Sequence, residues 1–174
     1  MIAIAIAWLF RMVFRSFNQK VVIDQAIKKA KAENSAVLSP PITPLSIRSD
    51  AKGDGHFNSS RGNRQHKGVD FIVLPGQKVM SPVEGVVTRH SYPYANDKKW
   101  DGLYIKGKNG IDIKLFYIKP LADIIGKTVN VGDTVGYAMK ISEKYGAPMI
   151  DHIHTETWID GGAVNPEPLF FSVA

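Results

Sequence analysis

The sequence predicts a mainly β domain, an antiparallel sheet or small sandwich, preceded by one N-terminal α-helix. Three observations carry that prediction. From residue 66 onward, short runs rich in β-branched and aromatic residues alternate with Gly, Pro and Asn-Gly turn signals. The first 34 residues instead place apolar side chains at helical spacing. Between the two lies a stretch rich in proline and glycine that suits neither element. At 174 residues the chain is long enough for one domain with an extension and too short for two well-cored domains.

The helix is expected over residues 1–34. Residues 1–17 are strongly apolar but interrupted at Arg11 and Arg15. The unbroken run, residues 1–10, is short of the roughly 20 residues a spanning helix needs. No basic residue precedes it and no small-residue cleavage site follows, so a cleaved signal peptide is a poor match. Residues 1–17 are therefore read as an interfacial or membrane-inserted helix, with both arginines snorkelling to headgroups. The alternative is burial against a partner protein. Val21, Val22, Ile23, Ala26, Ile27 and Ala30 continue the stripe with lysines opposite, and Asn34-Ser35 reads as the stop. Residues 35–54, with Pro40, Pro41 and Pro44, read as an extended linker. His56 falls in the loop chemistry that follows and reads as a surface residue.

Residues 55–174 form the expected β domain. Its strands are read at 69–74, 77–81, 85–91, 103–107, 111–117, 134–139 and 152–158, with Asn109-Gly110 as a hairpin turn. A formal charge of +6 favours anionic surroundings such as nucleic acid, anionic lipid or the acidic polymers of a bacterial wall. The lysines are spread out and no nucleic-acid motif is present, so nucleic acid is not expected as a partner. The chain has no cysteine, which leaves no disulfide framework and no thiolate metal site and favours a bacterial or viral source over an animal secreted one.

The chemistry gathers in two stretches. In Asp151-His152-Ile153-His154-Thr155-Glu156, strand alternation puts His152 and His154 on one face. Such a pair suits a metal, or a metal ligand beside a proton carrier, although a solvated strand face could carry it too. In Arg64-Gln65-His66-Lys67-Gly68-Val69-Asp70, a histidine and a carboxylate sit four apart around a glycine that leads into an apolar strand. Together the stretches supply His66, Asp70 and His154 as three metal ligands, with His152 left to move protons. Three N/O ligands with an open fourth position is the arrangement of a catalytic zinc.

From about residue 55 to 171 the chain resembles the lysostaphin-type (LytM-like) zinc metallopeptidases, which cut peptide bridges in bacterial peptidoglycan. Arg64-x-His66-x-Gly68-x-Asp70 resembles that family's first metal motif, Pro75 to Val87 its strand-turn-strand, and Val131 to Gly136 its hairpin. His152-x-His154-x-Glu156 is similar to the second metal motif and Asp160 to Pro166 to the usual ending. The resemblance implies the lysostaphin-type, duplicated-hybrid-like fold. It implies zinc on His66, Asp70 and His154, and His152 as catalytic base or transition-state stabiliser. A peptidoglycan peptide is then the expected partner, and a bacterial envelope or a phage virion the expected location.

One position departs. The family usually carries a second catalytic histidine in a Tyr-x-His-Leu stretch, whereas this chain reads Phe116-Tyr117-Ile118-Lys119-Pro120-Leu121. Lys119 then takes the catalytic place, where a fixed positive charge would stabilise the oxyanion. The same string is similar to leukocyte cell-derived chemotaxin, a branch regarded as zinc-binding but not as a peptidase, so the alternative function is a non-catalytic zinc module that binds or builds. A biotin- or lipoyl-carrier barrel is a poor third reading. Lys140, in Ala138-Met139-Lys140, follows the Val129 to Asp133 stretch where a carrier would need it to precede.

Overall fold

Apolar side chains at 22, 23, 26 and 27 share one face of a helix, and there the N-terminal element meets the rest of the chain. The structure, a computed structural model, describes residues 2–32, 37–108 and 110–171, with the backbone alone for 2–10 and 29–32. Helix α1 (Ile2–Ala32) presses Val22, Ile23, Ala26 and Ile27 onto the core, and Gln19 Nε2 donates to the Ile159 carbonyl at 2.8 Å. Its earlier turns leave Met12, Val13, Phe14 and Phe17 exposed. The expected stop at Asn34-Ser35 and the turn residue Asn109 lie outside the described residues.

The stretch expected as a linker is extended, as its prolines demand, but it is built into the domain. Leu38 and Ile42 are fully buried, and Leu38 N–H donates to the Leu169 carbonyl at 2.8 Å. Ile47 bridges Phe71, after which β1 (Ser49–Asp50) and β2 (Gly53–Asp54) form a small hairpin. Apolar residues scattered among Pro and Ser give no periodic signal, so their burial is a tertiary fact.

Next in order come β3 (Val69–Ile72), β4 (Lys78–Met80), β5 (Gly85–His90), β6 (Gly102–Gly107), β7 (Asp112–Phe116), β8 (Ile118–Pro120), β9 (Thr128–Val129) and β10 (Thr134–Ala138). A one-turn helix α2 (Ser142–Tyr145) precedes the long β11 (His152–Ile159). The chain closes with β12 (Gly162–Val164) and a one-turn helix α3 (Glu167–Phe170). A seven-stranded antiparallel sheet runs β12-β11-β7-β6-β5-β9, with β3 also paired to β11. A three-stranded sheet, β4-β10-β8, packs through Val79, Val135 and Ile118 into the same core as Ile105, Ile113, Leu115 and Ile153. The expected mainly β, antiparallel architecture with a leading helix is what the chain adopts.

Register decides where the site forms. One edge of β11 pairs with β7, and the other pairs first with β3 and then with β12. His154 lies opposite Asp70 on β3 and opposite Phe116 on β7. Directly opposed residues of an antiparallel pair share a face. Asp70, His152, His154 and Glu156 therefore rise from one side of the sheet, while Val69, Phe71 and Ile153 fill the core on the other.

Candidate metal centre

His66, Asp70 and His154 converge. His66 Nε2 lies 3.0 Å from Asp70 Oδ1 and 2.8 Å from His154 Nδ1, and His154 Nδ1 lies 2.9 Å from the same Asp70 oxygen. Among the described residues this is the group whose ligand atoms could hold a metal ion. Tetrahedral zinc, with bonds of about 2.0–2.1 Å, sets its ligand atoms roughly 3.3 Å apart, so a small outward shift accommodates it.

The outer partners fix which atoms face inward. His66 Nδ1 is 2.8 Å from the His56 carbonyl, which can only accept, so the proton sits on Nδ1 and the Nε2 lone pair points at the centre. His154 Nε2 faces Glu156 Oε1 at 3.3 Å, which leaves Nδ1 inward. Two imidazole nitrogens and a carboxylate oxygen that close require a positive charge among them, a proton or a metal ion. Burial opposes charge on His154, yet its hydrogen bonds to Asp70 and Glu156 prevail and lift its pKa to about 9. Burial likewise pushes Asp70 upward, but the hydrogen bond from His154, with His66 beside it, holds it well below the usual carboxylate range. The donor set fits a divalent zinc.

A buried chain of contacts anchors these groups. Arg48 Nη2 donates to Asp70 Oδ2 at 3.0 Å and its Nη1 to Asp50 Oδ1 at 2.8 Å. Asp50 Oδ2 accepts from Ile150 N–H at 2.9 Å, and the Ile150 carbonyl accepts from His152 Nδ1 at 2.7 Å. The proton of His152 is thus fixed on Nδ1, and Nε2, 3.8 Å from Asp70 Oδ2, keeps its lone pair. Burial lowers the His152 pKa, partly offset by the Asp70 charge, so the ring is a neutral base near pH 7. Gly68 allows the close packing: a Cβ there would lie 2.3 Å from the Thr155 carbonyl and 2.9 Å from the His154 ring.

The centre opens into a cleft of about 350 Å³ lined also by Lys52, Arg61, Arg64, Tyr92, Tyr94 and Tyr145. The structure thus brings four of the five expected site residues together. Lys119 stands apart from them. It lies on β8, where alternation buries Ile118 and turns Lys119 outward to solvent, and it is not part of the cleft wall. Tyr117 stands in the wall instead. His56 keeps its side chain at the surface as expected, 51% exposed, but its backbone carbonyl holds His66. Arg48 gave no signal in the sequence, and Tyr117 appeared there only as a member of the Phe116 to Leu121 string, without a task. Glu156, two residues beyond His154, was visible there as a motif position without an assigned task.

The Peptidase family M23 pattern matches residues 64–166, more than half the chain. The chain belongs to peptidase family M23. Leukocyte cell-derived chemotaxin-2 of Mus musculus is 31% identical over 109 residues, which cover 62% of this chain and 69% of that protein. Among solved structures, the catalytic domain of the prophage-encoded M23 protein EnpA from Enterococcus faecalis superposes with a TM-score of 0.53 at 18% identity, covering 74% of this chain and 95% of that one. The antimicrobial peptidase lysostaphin from Staphylococcus simulans superposes with a TM-score of 0.52 at 17% identity, covering 66% and 47%. These likenesses share the M23 fold, which is the lysostaphin-type architecture expected from the motifs.

Proposed function

We propose that this M23 chain is a zinc metalloendopeptidase that cuts peptide cross-links of bacterial peptidoglycan. The observation that carries the reading is His152: a neutral imidazole whose free Nε2 stands beside the three-ligand centre in an open cleft. His66, Asp70 and His154 would hold the zinc, and Arg48 orients Asp70 through its hydrogen bond to Oδ2. When bound, zinc supplies the Lewis acidity that polarises a scissile carbonyl and makes water nucleophilic near neutral pH. His152 Nε2 takes the proton of the attacking water and returns it to the leaving amine nitrogen. Arg61 and Arg64 give the cleft rim positive charge, which suits an acidic wall.

The reading places the protein at a bacterial envelope or in a phage virion. Among the described residues no helix is long and apolar enough to cross a membrane. The exposed Met12, Val13, Phe14 and Phe17, flanked by Arg11 and Arg15, then rest on a membrane surface or against a partner protein.

A second reading, a non-catalytic zinc module, is favoured by one observation: Lys119 lies outside the cleft, where the resemblance called for a second catalytic group. Purified peptidoglycan of several wall chemotypes separates the two. The zinc-loaded protein should release peptide fragments, a chelator should stop it, and His152→Ala should keep its zinc while losing at least ~10² in rate. A fully loaded parent that cuts no wall would leave the binding module standing.

A further inference from the structure

Phe116 and Tyr117 are consecutive, yet both line the cleft. Regular alternation would send them to opposite faces. The chain avoids this because Tyr117 takes a left-handed backbone conformation, φ +64°, at the break between β7 and β8. Bulky residues seldom adopt it, and such outliers gather where a side chain must be aimed. The same break turns Lys119 away from the site.

The aimed ring meets the machinery directly. It stands edge-on to His152, with ring centroids 5.5 Å apart and planes at 86°. Its hydroxyl lies 3.0 Å from that of Tyr94, which in turn bonds the hydroxyl of Tyr145. Tyr94 comes from the loop between β5 and β6, and Tyr145 from α2, so three separate segments converge on this wall. Packing alone would be met by phenylalanine; the hydroxyl is what the cluster adds. Burial pushes the Tyr117 pKa up to about 12, so the phenol remains an O–H donor at neutral pH.

We propose that Tyr117 is a catalytic hydrogen-bond donor whose phenol O–H, positioned by Tyr94, stabilises the negative charge that develops on the scissile carbonyl oxygen. The proposal rests on the peptidase reading and fills the place left by Lys119. No bond to Tyr117 forms or breaks. As water oxygen bonds the carbonyl carbon and the C–N bond breaks, the water proton passes to His152 Nε2 and then to the leaving nitrogen, while the Tyr117 hydrogen bond shortens and relaxes.

Tyr117→Phe keeps the ring and its packing. It should hold zinc and melt as the parent does, yet lose roughly 10² to 10³ in kcat with little change in KM. A phosphinate peptide, whose tetrahedral anion mimics the charged intermediate, should bind it at least ~10-fold more weakly by calorimetry, while the matching product peptide binds equally to both. Tyr94→Phe should show the same split between kcat and KM at a smaller size, which keeps the proposal testable if position 117 tolerates no change. Turnover and phosphinate binding by Tyr117→Phe within about threefold of an active parent would overturn the donor role alone. A parent that cuts no wall would overturn the peptidase reading, and this role with it.

Discussion

Glu156→Gln changes one atom and should cost the centre much of its hold on zinc. Glu156 is ionised: burial pushes its pKa upward, but the hydrogen bond to His154, the charge of that ring and the Trp158 hydrogen bond bring it down to about 2. Both oxygens are committed. Oε1 faces His154 Nε2 at 3.3 Å, and Oε2 accepts from Trp158 Nε1 at 2.7 Å, with Lys114 Nζ at 3.4 Å. A glutamine has only one oxygen for these three donors. Kept against Trp158 and Lys114, it turns its amide NH2 toward His154 Nε2, which must then accept. The imidazole proton moves to Nδ1, the atom that faces the centre, and the ligand lone pair is lost. Turned the other way, the amide sets two of its own N–H groups against an indole N–H and an ammonium. The shorter bond and the charge favour the first arrangement. Partners of this kind are worth about 10- to 100-fold in metal affinity, or roughly 1.4–2.7 kcal/mol. Competition with a chromophoric chelator at fixed pH reads the change, and circular dichroism checks that the sheet is intact. His152→Ala, which touches no ligand lone pair, is the control and should bind as the parent does. An intact Glu156→Gln protein with zinc affinity within ~2-fold of the parent would refute the tautomer reasoning.

Gly68→Ala should be destabilising by about 1–3 kcal/mol in a urea titration, because its Cβ meets the Thr155 backbone, which has little freedom to yield. Equal midpoints would mean that β3 and β11 separate more easily than their register implies. Thr157→Val should have the opposite sign: its fully buried hydroxyl has no hydrogen-bond partner among the described residues, and replacing it with a methyl group should raise stability by about 1 kcal/mol. An unchanged or lower unfolding midpoint would point to an ordered water on Oγ1.

The ligand trio was legible because two signals met. The x-His-x-His spacing puts both rings on one strand face, and Gly68 marks the tight approach that lets Asp70 stand opposite His154. Strand alternation also placed β5, β6, β7 and β10 within a few residues. What stayed hidden depends on contacts distant in the chain. Arg48 sits in a stretch that reads as linker, and only its bonds to Asp50 and Asp70 reveal a task. The side chains of Leu38 and Ile42 complete the core without any periodicity around them. Lys119 was placed by analogy with a motif, whereas the left-handed turn at Tyr117 has no glycine or asparagine to announce it. The hydroxyl contacts of Tyr94 and Tyr145 join segments about fifty residues apart along the chain, beyond the reach of local pattern.

The pairing of His154 with Asp70 across β3 and β11 has a bearing on how the chain is proofread. A strand zipped one residue out of step would set Asp70 against Ile153 or Thr155 and turn both histidines toward the interior. Such a chain cannot gather three ligands, so any metal the centre takes is withheld from it. Mass action then draws the population toward the correctly zipped form whenever the ion is present, and leaves the misaligned form to refold or be degraded. Loading and quality control become one event, read out at a single rung of the ladder.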